Sequence, residues 1–214
     1  MGIKFIENIP EGKLGYWEIC ETAEQLMALL QPGVTELEGY LQFRNELRKK
    51  EWLAARLLLK QMTGNDAFIS YDLNGKPILH GTAGHISISH SSNSVVIYYD
   101  EQHHPGIDIE LITRNVQRAA RKFLSPAELQ DCTFNGILSN KDLMLRWCAK
   151  EAVFKMVPYS NIDFASQIHC EAGPLNALQG ELSATFINDE ARLNIRLHYR
   201  LIGEMLMVWG NYFT

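Results

Sequence analysis

The stretch "GIDIE", residues 106–110, sets two carboxylates two positions apart. In an extended strand side chains alternate, so Asp108 and Glu110 leave one face and Ile107 and Ile109 the other. Carboxylates on one face repel each other unless a positive charge lies between them. A hard divalent cation such as Mg2+ meets that need with oxygen ligands. A solvent-facing acidic edge strand is the other reading.

A carboxylate and an ammonium recur together in "WCAKEAVFKM", residues 147–156. On a helix, Glu151 and Lys155 share a face. Met144 and Cys148 share it too. Trp147 and Phe154 flank it on one side, Leu145 and Ala152 on the other, and the solvent-like arc is expected around Arg146 and Lys150. Either the pair points into apolar surroundings, where it needs further partners, or it is an ordinary solvated helix pair.

His90, in "ISISHS", ends an expected strand beside Ser89. Imidazole and hydroxyl can donate to a phosphate oxygen there; the run Ser-His-Ser-Ser-Asn suits a turn equally well. Arg48, Arg56 and the Lys76 of "GKP" are cations of the kind that hold phosphate, Arg bidentately and Lys as a point charge. Exposed elements commonly display the same residues.

Several elements must position these groups. "KLGYWEI" predicts a strand ending near Ile19, and apolar periodicity predicts one long helix from Glu36 to Met62. "YDLNGKPIL" carries turn punctuation, and "HISISHSSNSVVIYYD" alternates as a hairpin. The polar break "DEQHHPG" divides the chain into an N-terminal half, 1–104, and a C-terminal half, 105–214. Its adjacent His103 and His104 have no partner spacing for a metal. "GIDIE" opens the second half. Helices are expected over residues 114–123, 126–132 and 141–156, then strands "SQIHCE", "ELSATFI", "RLNIRLHYR" and "MLMVWGNYF". Each half reads helix first, then antiparallel strands, an α+β arrangement.

The bulk numbers narrow the field. The 214 residues are 46% hydrophobic and 21% charged, with a net charge of -5. That balance offers no general attraction to nucleic acid or anionic lipid, so any anion site is a local cluster. Cys20, Cys132, Cys148 and Cys170 form no metal spacing and read as free thiols in a reducing compartment. With no signal core and no membrane-length apolar run, the expected location is cytoplasmic.

Order now adds to type. "GKP", "ISISHS", "GIDIE", "KFLSPAE" and "WCAKEAVFK" follow one another over roughly residues 51–155. The series resembles the 4′-phosphopantetheinyl transferases of the larger single-chain class, the type that activates surfactin synthetase. Phe123, with Glu128 five residues on, falls in the fourth block; Trp147, Lys150, Glu151 and Lys155 fill the last.

The resemblance implies transfer of the phosphopantetheine arm of coenzyme A to a serine of an apo acyl or peptidyl carrier protein, releasing adenosine 3′,5′-bisphosphate. It implies a monomeric pseudo-dimer of two similar halves, with the active site in the cleft between them. Asp108, Glu110 and Glu151 would hold Mg2+, with Mn2+ as the alternative. Glu151 is also the implied base, and Lys155 would stabilise the departing phosphate. Ser89, His90 and Lys155 would meet coenzyme A phosphates, and Arg56, Lys76 and Arg48 its 3′-phosphate. Trp147 would anchor the helix, with Lys150 ranking below Lys155. Arg114, Arg118 and Arg121, at helical spacing and followed by Phe123 and Leu124, form a candidate docking patch for an acidic carrier protein. The resemblance departs at "MVPYSNIDF", where the family usually turns on glycines. A non-catalytic coenzyme A or carrier-protein binding module and a Mg2+-dependent phosphohydrolase are the competing readings.

Overall fold

The structure, a computed structural model, describes residues 2–64 and 66–212. Phe213, the end of the last expected strand, lies outside them. The chain divides into two compact units, Met1–Gln102 and His103–Thr214. Both are α+β with antiparallel sheets.

The first unit opens with β1 (Ile3–Ile9) and β2 (Gly12–Glu18), then α1 (Ala23–Leu30), α2 (Val34–Leu41) and α3 (Glu46–Thr63). The strands β3 (Phe68–Tyr71), β4 (Pro77–His80), β5 (His85–Ser91) and β6 (Ser94–Asp100) complete it. β1-β2-β6-β5 form one sheet and β3-β4 a separate hairpin. Trp17, Leu53, Leu58, Val95 and Ile97 centre a core between α3 and the sheet. Ile86 joins this core, with Ile88 packed against it, while the buried Ser87 and Ser89 alternate with them along β5.

The long helix expected over 36–62 is two helices. The Asn45 side chain accepts from the Arg48 amide and restarts the helix as α3. Asn at that position competes with continued helix by offering its own cap. α1 starts on a capping box, Thr22 with Gln25, a signal that "TAEQ" carries.

The second unit begins with β7 (His104–Leu111), α4 (Ala120–Phe123), α5 (Pro126–Asp131), β8 (Thr133–Phe134) and β9 (Ile137–Leu138). It continues with α6 (Asn140–Met156), α7 (Phe164–Gln167), β10 (Ile168–Glu171), β11 (Gln179–Ile187), β12 (Arg192–Ile202) and β13 (Met205–Tyr212). The sheet order is β10-β11-β12-β13-β7, with β8-β9 a separate hairpin. Each unit opens on strands, and "KLGYWEI" and "GIDIE" fall in β2 and β7 as expected.

β7 is the edge strand, antiparallel to β13, and α6 packs across both. Gly106 permits that approach: a Cβ there would stand 2.0 Å from the Ala152 carbonyl oxygen of α6. Register pairs Asp108 with Val208 and Glu110 with Leu206, and both partners belong to the core that α6 covers. The two carboxylates therefore leave the helix side of the sheet, and the solvent-facing edge reading is set aside. Ile107 and Ile109, fully buried, leave the opposite face.

α6 departs from the helical-wheel reading. Arg146 and Lys150, expected on a solvent-like arc, are 1% and 0% exposed. A helix buried on nearly every side has no wet arc, so its charges must find partners inside.

Candidate active site

β7 and α6 bring Asp108, Glu110, Glu151 and Lys155 into one electrostatic group. Asp108 is 5% exposed. The Lys155 ammonium donates to Asp108 Oδ1 at 2.7 Å and to the Ile107 carbonyl at 3.0 Å. Glu110 is ion-paired with Arg114. Burial, and then the negative charge of Asp108, push the Glu151 carboxyl up to about 7, with Lys155 opposing and Glu110 reinforcing the rise. Beneath them lies the Cys148 thiol, fully buried; burial and the charges of Asp108 and Glu110 push it well above the ordinary thiol range.

Among the described residues, no three His, Cys, Asp or Glu side chains are drawn together as a ready metal shell. Asp108 instead leans on Lys155 and Glu110 on Arg114. The donor set still suits a hard divalent cation. It is all carboxylate oxygen, and the raised pKa of Glu151 reflects burial first and then repulsion from Asp108 and Glu110, which such an ion would relieve.

The raised pKa has a measurable consequence. Glu151 holds its proton more tightly folded than unfolded, so its contribution to stability is greatest below pH 4.5 and is lost as pH rises towards about 7. In metal-free protein, Glu151→Gln should be increasingly more stable than the parent across that window, by on the order of 2 kcal/mol above it, after allowance for partial exposure. Thermal melts at several pH values measure the difference; a pH-independent gap would rule the effect out.

Lys150 and Glu128 form a second node. Lys150 Nζ donates to Glu128 Oε2 at 2.8 Å, to the Phe164 carbonyl at 2.8 Å and to the Ile168 carbonyl at 2.5 Å. Glu128 accepts from Ser125 N in a capping box and from Cys170 N. One ion pair thus ties α5, α6, α7 and β10 together. Arg146 donates to the Ala172 carbonyl nearby. Trp147 packs edge-on against Phe123, with ring centroids 5.0 Å apart, and tilted against Phe164.

In the first unit, α3 and β5 bring Arg48 and His90 together around a residue the sequence reading missed. Glu51, buried, accepts from Arg48 Nη1 at 3.0 Å and faces His90 Nδ1 at 3.4 Å. Arg48 Nη1 also lies 2.6 Å from His90 Nε2. Burial alone would raise the Glu51 carboxyl, but His90 and Arg48 outweigh it and hold it below the usual range. The available signal was R-x-x-E at i, i+3 on α3.

Arg56 stands differently. It is buried, stacked over Trp52 at 3.4 Å, bonded to the Trp52 and Ile69 carbonyls and ion-paired with Glu36. Its guanidinium knits α2, α3 and β3 together rather than facing outward with Arg48. Lys76 is half-buried, and burial pulls its ammonium below the ordinary lysine value. Ser89 is buried on β5.

The helical docking stripe is not formed. Arg114 lies in the turn after β7 and pairs with Glu110. Arg118 sits in a 3-10 turn, Gln117–Ala119, and Arg121 in the single turn of α4. Phe123 and Leu124, expected as its exposed apolar contact, are each 2% exposed and belong to the core.

The loop after α6 manages without glycine. Asn161 takes the left-handed φ of +57, a conformation Asn tolerates. Tyr159 stacks on Phe186, and Asp163 caps α7.

Among the described residues, no helix is long and apolar enough to cross a membrane. No curated protein matches the chain. Residues 105–201, the span that holds Asp108, Glu110, Glu151 and Lys155, match the family model of the 4′-phosphopantetheinyl transferase superfamily.

Proposed function

We propose that this protein transfers the 4′-phosphopantetheine arm of coenzyme A to a serine of an apo acyl or peptidyl carrier protein, as a single-chain transferase of the surfactin-synthetase-activating type. The observation that carries this reading is the gathering of three carboxylates and Lys155 on β7 and α6, inside the span that matches the superfamily. The expected architecture is a monomeric pseudo-dimer working in the cytoplasm, with the metal-binding carboxylates in the C-terminal half.

Asp108, Glu110 and Glu151 would hold Mg2+, or Mn2+ in its place. The ion supplies charge neutralisation at the pyrophosphate oxygens of coenzyme A. Glu151, beside Asp108 and Lys155, accepts the serine proton. The serine oxygen attacks the β-phosphorus. The bond from that phosphorus to the bridging oxygen breaks, and adenosine 3′,5′-bisphosphate leaves with the electron pair. Lys155, held at Asp108, faces the charge that develops on the phosphate.

Intact-mass analysis of apo carrier proteins after incubation with the protein, coenzyme A and Mg2+ tests the reading. The expected result is a gain of one phosphopantetheine arm, lost with EDTA. No gain on fatty-acid, polyketide, peptide or amino-acid-pathway carriers would sink it.

Arg48, His90, Ser89 and Lys76 are assigned to coenzyme A phosphates, and Glu51 sets the orientation of the first two. Glu51→Gln removes the carboxylate charge that Arg48 and His90 both face, and hydrogen bonds to charged groups contribute about 1.5–3 kcal/mol. The dissociation constant for coenzyme A should rise about tenfold or more, with kcat at saturation little changed. Calorimetric titration decides; unchanged affinity would leave Glu51 a helix-stabilising residue only.

A further inference from the structure

The C-terminal unit holds out two large apolar side chains at the tip of a hairpin. Phe134 and Ile137, 78% and 72% exposed, face each other across the Asn135–Gly136 turn. Both turn residues have left-handed φ, +49 and +76, the geometry of the tight two-residue turn that Asn-Gly favours. Cross-strand partners share a face, so the two side chains form one apolar knob.

The hairpin base is well tied. Ser139 N donates to the Cys132 carbonyl at 2.9 Å, and Thr133 Oγ1 to the Leu129 carbonyl at 2.7 Å. Gln117 Nε2 donates to the Leu138 carbonyl at 3.1 Å, joining the hairpin to the segment before α4. From Ile112 to Phe123 that segment carries four cations, Arg114, Arg118, Arg121 and Lys122, and no acid, although the chain as a whole is at -5. All four are exposed. Asn140 pins the segment through the Ile112 and Arg114 carbonyls, and Arg114 is paired with Glu110. The cation-bearing segment is therefore tied at Arg114 to Glu110 of the carboxylate group and at Gln117 to the base of the hairpin.

We propose that this segment and the hairpin tip together dock the protein that brings the acceptor serine, with Phe134 and Ile137 entering an apolar hollow and Arg118, Arg121 and Lys122 meeting acidic side chains beside it. The inference rests on the transfer reading above. It replaces Phe123 and Leu124, which the core buries, with side chains that are free to make contact. The cations select an acidic partner and speed its approach. A pair of exposed large apolar side chains supplies the contact that slows its departure.

The test measures binding apart from chemistry. Apo carrier proteins with the acceptor serine changed to alanine are titrated into the protein loaded with coenzyme A and Mg2+. F134S/I137S should weaken binding about tenfold or more, with the melting temperature and the coenzyme A affinity unchanged. R118E/R121E should weaken it too and flatten its salt dependence. Equal affinity in F134S/I137S overturns the proposal. So does absence of binding by the parent protein, or a change confined to self-association in sedimentation. Arm transfer to unmodified carriers is read separately by mass. Hairpin-dependent binding without transfer would remove the transfer reading and leave the docking surface standing.

Discussion

Glu151→Gln lowers kcat for arm transfer about a thousandfold or more, within the range for loss of a positioned base, while coenzyme A still binds through the groups assigned to it in the first unit. The substitution preserves size and removes both basicity and charge. Two roles converge on this carboxylate, and a second variant separates them. Asp108→Asn removes the nearest negative charge that raises Glu151, and it releases Lys155 from its 2.7 Å bond. Both changes lower the pKa of Glu151. If Glu151 is the base, activity falls as pH drops through its pKa, and this acid limb should move to lower pH in Asp108→Asn at saturating metal. If Glu151 serves only as a ligand, Glu151→Gln should instead regain most of its kcat at high Mg2+, and the limb should stay in place. A Glu151→Gln enzyme with near-parental kcat at ordinary Mg2+ would remove Glu151 from the chemistry.

How much of this was readable beforehand depended on how local each signal was. Alternation placed Asp108 and Glu110 on one face of a strand because a period of two needs no partner to be seen. The hairpin β5–β6 and the four closing strands were equally legible from alternation and turn residues. α1 and β1 were not foreseen. "IKFIENI" mixes Lys4, Glu7 and Asn8 into its pattern, and α1 spans only eight residues. The break at Asn45 was hidden because the apolar period continues across it, and one capping side chain outweighs that continuity. Arg114, Arg118 and Arg121 kept helical spacing by coincidence. The chain turns at Arg114, whose amide returns to the Leu111 carbonyl, and no residue spacing reports that turn. Charge misleads most in α6, where Arg146 and Lys150 point to partners inside the protein rather than to water.

Lys150→Met costs the fold about 3–5 kcal/mol, the usual result of removing one partner from a buried ion pair. The side chain is 0% exposed, and its ammonium has three donors for the three acceptors it meets: Glu128, Phe164 O and Ile168 O. Methionine fills a similar volume but leaves the Glu128 carboxylate buried with only the Ser125 and Cys170 amides. For a unit of this size the melting temperature should fall by more than roughly 10 °C. Lys150→Met with Glu128→Gln should recover part of the loss, since the amide carries no buried charge and its one carbonyl oxygen can still accept from one of those backbone groups, and a coupling of about 0.5–3 kcal/mol is the signature of direct contact. A purely additive double variant would contradict the ion pair. Because Lys150 precedes Glu151 on α6, the same variant also separates scaffold from chemistry. Assayed cold, where it is still folded, Lys150→Met should keep kcat close to the parent value. A folded but inactive protein would mean that the lysine acts on substrate, and that its place in the W-x-x-K-E series is chemical rather than architectural.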